Sequence, residues 1–310
     1  MSRVHIKGFG LIGSLLAWEL TERKIDFTWE DNETPGAWKA STGCIYPSGE
    51  PLDAENYNLW LKAFSSGFSE SPYGAENRKP IELFAEAVPY GFTQKNIPHG
   101  NNSKELRVVE SVGNIKILNK QSMHVNVQKF VDFTQKFFYT YRTQQPNDAL
   151  IVHAHGFHKF KTTDYRWGWS VECNVSGPVF DKYPRFCLNA KEGRFINAYL
   201  YPKPTTPHYY LGTHFIYQRQ QKQLEIGNKI QKIIEHIKKV TDGTVNIELT
   251  ADPVTGWRPA YTEDFAHSFI LDGGNNLYVT PKAANGLRHA PSYIQEIADV
   301  IQENMYASTI

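Results

Sequence analysis

The sequence predicts an α/β protein in which a Rossmann-like domain with parallel strands is built from separated segments and an antiparallel-sheet domain is inserted between them. Three observations carry this expectation. A strand–glycine turn–helix–strand unit fills residues 3–30. Short, continuously apolar strand patterns of the kind used in parallel sheets recur at 149–154 and 277–279. Between them lie runs rich in Tyr, Trp, Phe and Val, including 195–201 and 209–215, which suit antiparallel strands.

The first unit begins with Val4-His5-Ile6, a short buried strand. Gly8-Phe9-Gly10-Leu11-Ile12-Gly13 follows, then a helical pattern through Leu15, Leu16 and Leu20 to about Arg23. A second strand, Asp26-Phe27-Thr28-Trp29, ends on Glu30. Strand, GxGxxG turn, helix, strand and acid in this order form a dinucleotide fingerprint. Gly8 permits the turn, Gly10 lets a diphosphate approach the backbone, and Gly13 lets the helix pack on the strand. The helix N-terminus, with the amides of Leu11 and Ile12, offers unpaired donors and a positive dipole end to the anion. Glu30 is placed to accept from a ribose diol and would repel a 2′-phosphate, which argues against NADP.

Residues 65–80 and 89–104 are rich in Gly, Pro, Ser and Asn and read as long loops over a substrate region. An amphipathic helix is expected over 127–141, with Phe130, Val131, Phe133, Phe137 and Phe138 available to a buried face. A long helix is expected over 224–240 with lysines on its outer face, and a last helix from Pro291 to about Asn304. The expected partition gives 1–50, 120–164 and 255–310 to the nucleotide domain and 51–119 and 165–254 to the substrate domain.

Lys+Arg 33 against Asp+Glu 32 leaves a formal charge of +1, so no global field draws the chain to nucleic acid or an anionic membrane. With 41% hydrophobic and 21% charged residues the chain can bury a core and has no signature of disorder. No apolar run approaches the ~18 residues of a membrane span, and no signal peptide is visible. Cys44, Cys173 and Cys187 form no CxxC pair, and their odd number fits reduced thiols in a cytoplasmic protein.

Four further segments resemble the D-amino-acid oxidase and glycine oxidase family. They are Ala40-Ser41-Thr42-Gly43-Cys44-Ile45-Tyr46-Pro47, Ile151-Val152-His153-Ala154-His155-Gly156, Tyr199-Leu200-Tyr201-Pro202 with Tyr210-Leu211-Gly212-Thr213, and Gly256-Trp257-Arg258-Pro259. Their order holds across nearly the whole chain. The resemblance implies a D-amino-acid oxidase-like fold, noncovalent FAD and a small amine or amino-acid substrate whose C–N bond is oxidised. By the same resemblance, Ser41, Thr42, Gly43 and Ile45 lie on the flavin side and Gly156 ends a strand beside the cofactor. Arg258 pairs with the substrate carboxylate, Tyr199 contacts that carboxylate, and Gly286 and Leu287 flank the pyrimidine end of the flavin. A guanidinium suits this task because its planar fork makes two charge-assisted bonds to one carboxylate.

The chain departs from the family pattern in two places. Pro281-Lys282-Ala283-Ala284-Asn285 replaces a glycine- and histidine-rich turn, which would bring the Lys282 cation beside flavin or substrate. Only a short turn joins 127–141 to 149–154, where relatives insert a β-meander that helps hold adenine.

Competing readings stand beside these. His153, His155 and His158 suggest a metal, but no acidic partner stands with them, and no metal is expected. The stretch Phe157-His158-Lys159-Phe160-Lys161, continuing to Tyr165-Arg166-Trp167, interleaves bases and aromatics as single-strand nucleic-acid binders do. The alternative substrate is therefore an amino-acid adduct on a nucleobase. Arg258 has an alternative partner in Asp264, and a non-catalytic relative that keeps only the fold is the third reading.

Overall fold

The computed structural model describes residues 3–31, 37–45, 80–93, 106–143, 149–154, 164–192, 196–213, 223–260, 269–271, 275–279 and 286–307, with the isolated positions 58 and 146. The chain opens with β1 (Arg3–Lys7), α1 (Leu11–Glu22) and β2 (Phe27–Glu30), the unit expected from the fingerprint. Next come β3 (Cys44–Ile45), β4 (Ala85–Thr93), β5 (Val108–Val112), β6 (Ile115–Val125), α2 (Val127–Phe137) and β7 (Ala149–His153). The second half contains β8 (Asp164–Ser176), α3 (Pro178–Lys182), β9 (Cys187–Glu192), β10 (Ile196–Pro202), β11 (Tyr209–Thr213) and α4 (Gln223–Val240). It closes with β12 (Asn246–Leu249), β13 (Val254–Ala260), β14 (Phe269–Leu271), β15 (Asn276–Val279) and α5 (Gly286–Ala307).

Two sheets result. One has the order β14-β15-β7-β1-β2. Its strands β15, β7, β1 and β2 are parallel, and β14 is an antiparallel edge. Strands from both chain ends thus meet in one layer, as expected of a Rossmann-like domain made of separated segments. The larger sheet has the order β12-β8-β11-β10-β9-β4-β6-β3, with β13 also on β8 and β5 also on β6. It is antiparallel apart from the β4–β9 pair. β3, the second half of β6 and most of β13 are bonded into this sheet, although the sequence partition groups them with the nucleotide segments.

Side-chain alternation explains the layering. Val4 and Ile6 on β1, Phe27 and Trp29 on β2, Val152 on β7 and Leu277 and Val279 on β15 are buried in one core with Leu16 and Leu20 of α1 and Ile297 and Ile301 of α5. Each such burial is worth roughly 1.5–3 kcal/mol. Ile226, Ile230, Ile233, Ile234 and Ile237 recur at helical spacing along α4. They share a second core with Val171, Leu188, Leu200 and Leu211 of the larger sheet. A third buried group comprises Val88, Tyr90, Phe92, Leu118, Cys187, Tyr199 and Tyr201.

Three expectations are corrected. The 127–141 helix stops at Phe137 and is followed by a 3-10 turn, Tyr139–Tyr141. Phe137 is 58% exposed, although its ring still leans on Trp18. The last helix begins at Gly286, so Pro291 lies inside it rather than at its start. Finally, 89–93 is the end of a strand rather than loop, because Gly91 and Phe92 pair with both β6 and β9. The expected loop residues 65–79 and 94–104 lie outside the described residues. Among the described residues no helix is long and apolar enough to cross a membrane.

Candidate cofactor and substrate site

The glycine turn leaves β1 at Gly8, whose amide donates to the Glu30 carbonyl at 2.9 Å. Gly10 caps α1 with no side-chain hydrogen bond to the helix, and no acid lies in the first turn. Among the described residues no side chain caps this helix end, an arrangement that suits an anion. Gly13 has no room for a Cβ against the Gly8 carbonyl, which is the close helix–strand packing expected of it. The free space over Gly10 belongs to a protein side chain: a Cβ there would meet Trp38 Cδ1 at 2.7 Å. Trp38 carries no signal in the sequence, because a lone tryptophan has no motif of its own.

The acid that reaches the turn is Asp31, not Glu30. Asp31 Oδ1 accepts from the Phe9 amide at 3.1 Å, and Gln135 Nε2 donates to Asp31 Oδ2 at 3.3 Å and to the Phe9 carbonyl at 3.1 Å. Burial pushes the Asp31 carboxyl above its ordinary value, against the opposing pull of the Phe9 amide, Lys39 and Arg142. Glu30 instead lies 3.4 Å from Lys7 Nζ and 3.8 Å from His5 Nε2 on the sheet face. Glu30 ends β2 and Asp31 follows it, so the two adjacent carboxylates part, one to the sheet face and one to the turn.

The flavin-side segment follows a 3-10 turn, Ala37–Ala40. Gly43 has φ 60°, and a Cβ there would run into the Val125 carbonyl. Only glycine permits this left-handed crossing close to β6. Its amide donates to Ser41 Oγ at 3.2 Å, and the Val125 amide donates to the Gly43 carbonyl at 2.9 Å. Thr42 is half-buried and Ile45 fully buried. Gln128 Nε2 of α2 donates to the carbonyls of Lys39 at 2.7 Å and Ser41 at 3.3 Å.

Gln128 also joins this segment to the larger sheet. Its Oε1 accepts from the Tyr210 hydroxyl at 2.6 Å, and burial pushes that phenol well above its ordinary range. Tyr210 stands opposite Tyr201, and Tyr199 opposite Gly212, in the β10–β11 register. Cross-strand partners and alternate residues share a face. Tyr199, Tyr201 and Tyr210 therefore lie on the side bonded to the flavin-side segment. Tyr199 and Tyr201 stack at 4.1 Å, and both are buried.

Arg258 lies on β13 opposite position 166 of β8. In register, Gly212 faces Ser170 and Ser170 faces Val254. Position 258 is four residues beyond 254, so it falls on the same face of the sheet as position 199. β13 also packs against the Ala37–Ala40 turn. Gly286 and Leu287 form the first turn of α5, with Leu287 buried in the first core. Gly156, Lys282, His155, His158 and Asp264 lie outside the described residues, as do 157–161. His153 is engaged locally: its Nε2 is 3.0 Å from Asn276 Oδ1 and its ring stacks on Tyr278 at 4.4 Å.

One further cluster had no signal in the sequence. Cys44, His124 and Cys187, distant in the chain, gather on the tyrosine-bearing face. Burial, and then Cys44 beside it, push the Cys187 thiol well above its ordinary value.

The residues at the glycine turn suit a dinucleotide such as FAD in three respects, namely a helix N-terminus free of acids, a carboxylate at the turn, and a second, glycine-bent segment brought to the same end of the sheet. Trp38, however, fills the space over Gly10 that a diphosphate would approach. The comparisons agree at the level of fold. No family model matches the chain, and no curated protein matches its sequence. Among solved structures, the chain is similar to glycine oxidase from Bacillus cereus, with 15% identity and a TM-score of 0.64 over 98% of this chain and 96% of that one. It is similar to iminodiacetate oxidase from Chelativorans sp., with 12% identity and a TM-score of 0.68 over 97% and 95%. An FAD-dependent oxidoreductase from Pseudomonas aeruginosa matches with 13% identity and a TM-score of 0.59 over 98% and 91%. The fold is thus the D-amino-acid oxidase-like arrangement, a Rossmann-like domain of separated segments with an inserted, mainly antiparallel sheet.

Proposed function

We propose that this chain binds FAD noncovalently and oxidises a C–N bond in a small amino acid or secondary amine. The observation that carries this reading is the bonded path from Tyr210 through Gln128 to the Lys39 and Ser41 carbonyls. It ties the sheet face bearing Tyr199 and position 258 to the segment that packs, through Trp38, on Gly10. The glycine oxidase and iminodiacetate oxidase folds support the substrate class, and the Pseudomonas oxidoreductase supports the cofactor.

When bound, FAD supplies the hydride acceptor. The α1 N-terminus, with the Leu11 and Ile12 amides, holds the diphosphate, and Asp31 accepts from the ribose. Ser41, Thr42, Gly43 and Ile45 would hold the flavin on one side, and Gly286 and Leu287 would flank it. Arg258 clamps the substrate carboxylate and Tyr199 donates to it, so that the reacting C–H is held in place. The buried tyrosine face excludes water from the reacting carbon, and the imine hydrolyses after release.

The test begins with the native protein. Mild unfolding should release FAD, identified by mass spectrometry, at about one per chain. A panel of free amino acids and secondary amines should then bleach the flavin, with peroxide formation or dye reduction. Absence of FAD, with no uptake on soaking, overturns the cofactor assignment. Bound FAD that no member of the panel reduces overturns the substrate class.

A further inference from the structure

Three strands of the larger sheet bring soft donors to one point. Cys44 on β3 stands opposite His124 on β6, and Cys187 arrives from β9. Cys44 Sγ is 3.9 Å from His124 Nε2, and the three donor atoms lie within 4.8 Å of one another. Ser122 Oγ is 2.5 Å from His124 Nε2 and also bonds to Cys187. His124, Cys187 and Ser122 are fully buried and Cys44 is half-buried. The buried His124 Nδ1 has no hydrogen-bond partner among the described residues.

We propose that Cys44, His124 and Cys187 form a binding site for a divalent ion of the zinc type, with Ser122 or a water as fourth ligand. Zn–S bonds of about 2.3 Å and Zn–N bonds of about 2.0–2.1 Å, set tetrahedrally, separate donors by roughly 3.5–3.8 Å. The Cys44–His124 separation of 3.9 Å is close to this, and the other pairs, within 4.8 Å, need a side-chain shift of about an ångström or less to close on an ion. Each thiol yields its proton to solvent as the metal–sulfur bond forms. Two thiolates then offset the 2+ charge, so the buried unit is neutral and avoids the cost of an isolated buried charge. Magnesium and calcium demand oxygen ligands and are poorly served by this set.

The place in the fold gives the ion a positioning task. β3 follows directly on the Ser41–Gly43 segment, and in the sheet order β6 and β4 separate it from β9. The His124 ring meets Tyr201 at 5.5 Å, and Tyr201 stacks on Tyr199. An ion here would clasp the flavin-side segment to the strand next to Tyr199.

The experiment uses full-length protein purified with its thiols reduced. Zinc content should approach one per chain, or reach it on titration. Replacement by Co²⁺ should produce thiolate-to-metal charge-transfer absorption, read on flavin-free and flavin-loaded protein alike. Cys187→Ser and His124→Gln should each weaken Zn²⁺ affinity beyond the ~10–100-fold typical of losing an outer-shell partner. Cys44→Ala, at the half-exposed ligand, should do the same and guards against misfolding of the buried variants. Cys173→Ser, on the face toward α4, should bind as wild type. No stoichiometric uptake by folded wild type, unchanged affinity in Cys44→Ala, or recovery of Cys44 and Cys187 as a disulfide from anaerobically prepared protein would each overturn the proposal. These outcomes are independent of whether FAD is bound or reduced.

Discussion

The phenol of Tyr199 lies across the backbone of Gly212 on the neighbouring strand, so close that a Cβ at position 212 would overlap its hydroxyl and ring. The two are direct partners in the β10–β11 register. Glycine in a strand interior weakens the strand and packs nothing of its own. Here its emptiness is what lets a buried tyrosine lie down over the sheet and stack on Tyr201.

Gly212→Ala should therefore displace the Tyr199 hydroxyl. Overpacking of this kind costs roughly 1–3 kcal/mol, and about 1.4 kcal/mol is a tenfold change in affinity. KM for a carboxylate substrate is expected to rise about tenfold, with FAD content unchanged. Steady-state kinetics on flavin-loaded protein checks this, and an unaltered KM would remove Tyr199 from substrate contact.

Asp31 and Glu30 make opposite forecasts. If Asp31 holds the ribose as well as the Phe9 amide, Asp31→Asn loses charge-assisted bonds worth roughly 1.5–3 kcal/mol. FAD affinity, read by flavin fluorescence on titration, should then fall about ten- to a hundredfold. Glu30→Gln, altering a side chain near Lys7 and His5, should leave affinity nearly intact. The reverse ranking would restore Glu30 to the cofactor.

Arg258→Ala should raise KM for amino acids by about a hundredfold, given charge-assisted bonds of roughly 1.5–3 kcal/mol each, while flavin absorbance stays that of wild type. Arg258→Lys should recover part of the loss, because the charge returns without the fork. Equal KM values in wild type and Arg258→Ala would take the guanidinium out of the site.

His5 gives the fold a pH dependence. Burial holds its pKa below the ordinary 6.5, with Lys7 and His153 acting in the same direction and Glu30 opposing. The unfolded chain therefore binds the proton more readily. His5 contributes no penalty above pH 6.5, and stability is lost as pH falls from there toward the lowered folded value. Thermal unfolding between pH 7.5 and pH 5, values chosen to straddle the ordinary histidine range, should show a steeper decline for wild type than for His5→Gln. Parallel curves would show that His5 does not govern this window.

Much of the fold was legible because its signals are local. The fingerprint placed β1, α1 and β2 almost to the residue, and the long helix expected over 224–240 is α4. Which of the adjacent acids Glu30 and Asp31 bonds the Phe9 amide was not legible, because only the backbone path out of β2 decides it. The last helix started earlier than Pro291 suggested because Leu287 is anchored in the first core, a long-range contact. Trp38, Gln128 and Gln135 went unnoticed, since each matters only through partners in other segments, as Gln128 does with Lys39, Ser41 and Tyr210.

By itself the sequence determined the α/β layering and the strand–glycine turn–helix unit, since hydrophobic period and glycine spacing act within a few residues of each other. The tertiary structure alone decided that Asp31 faces the turn, that Gly212 makes room for Tyr199, and that Cys44, His124 and Cys187 converge. Those arrangements depend on strand order and register across residues far apart in the chain, where a shift of one residue sends every side chain to the opposite face.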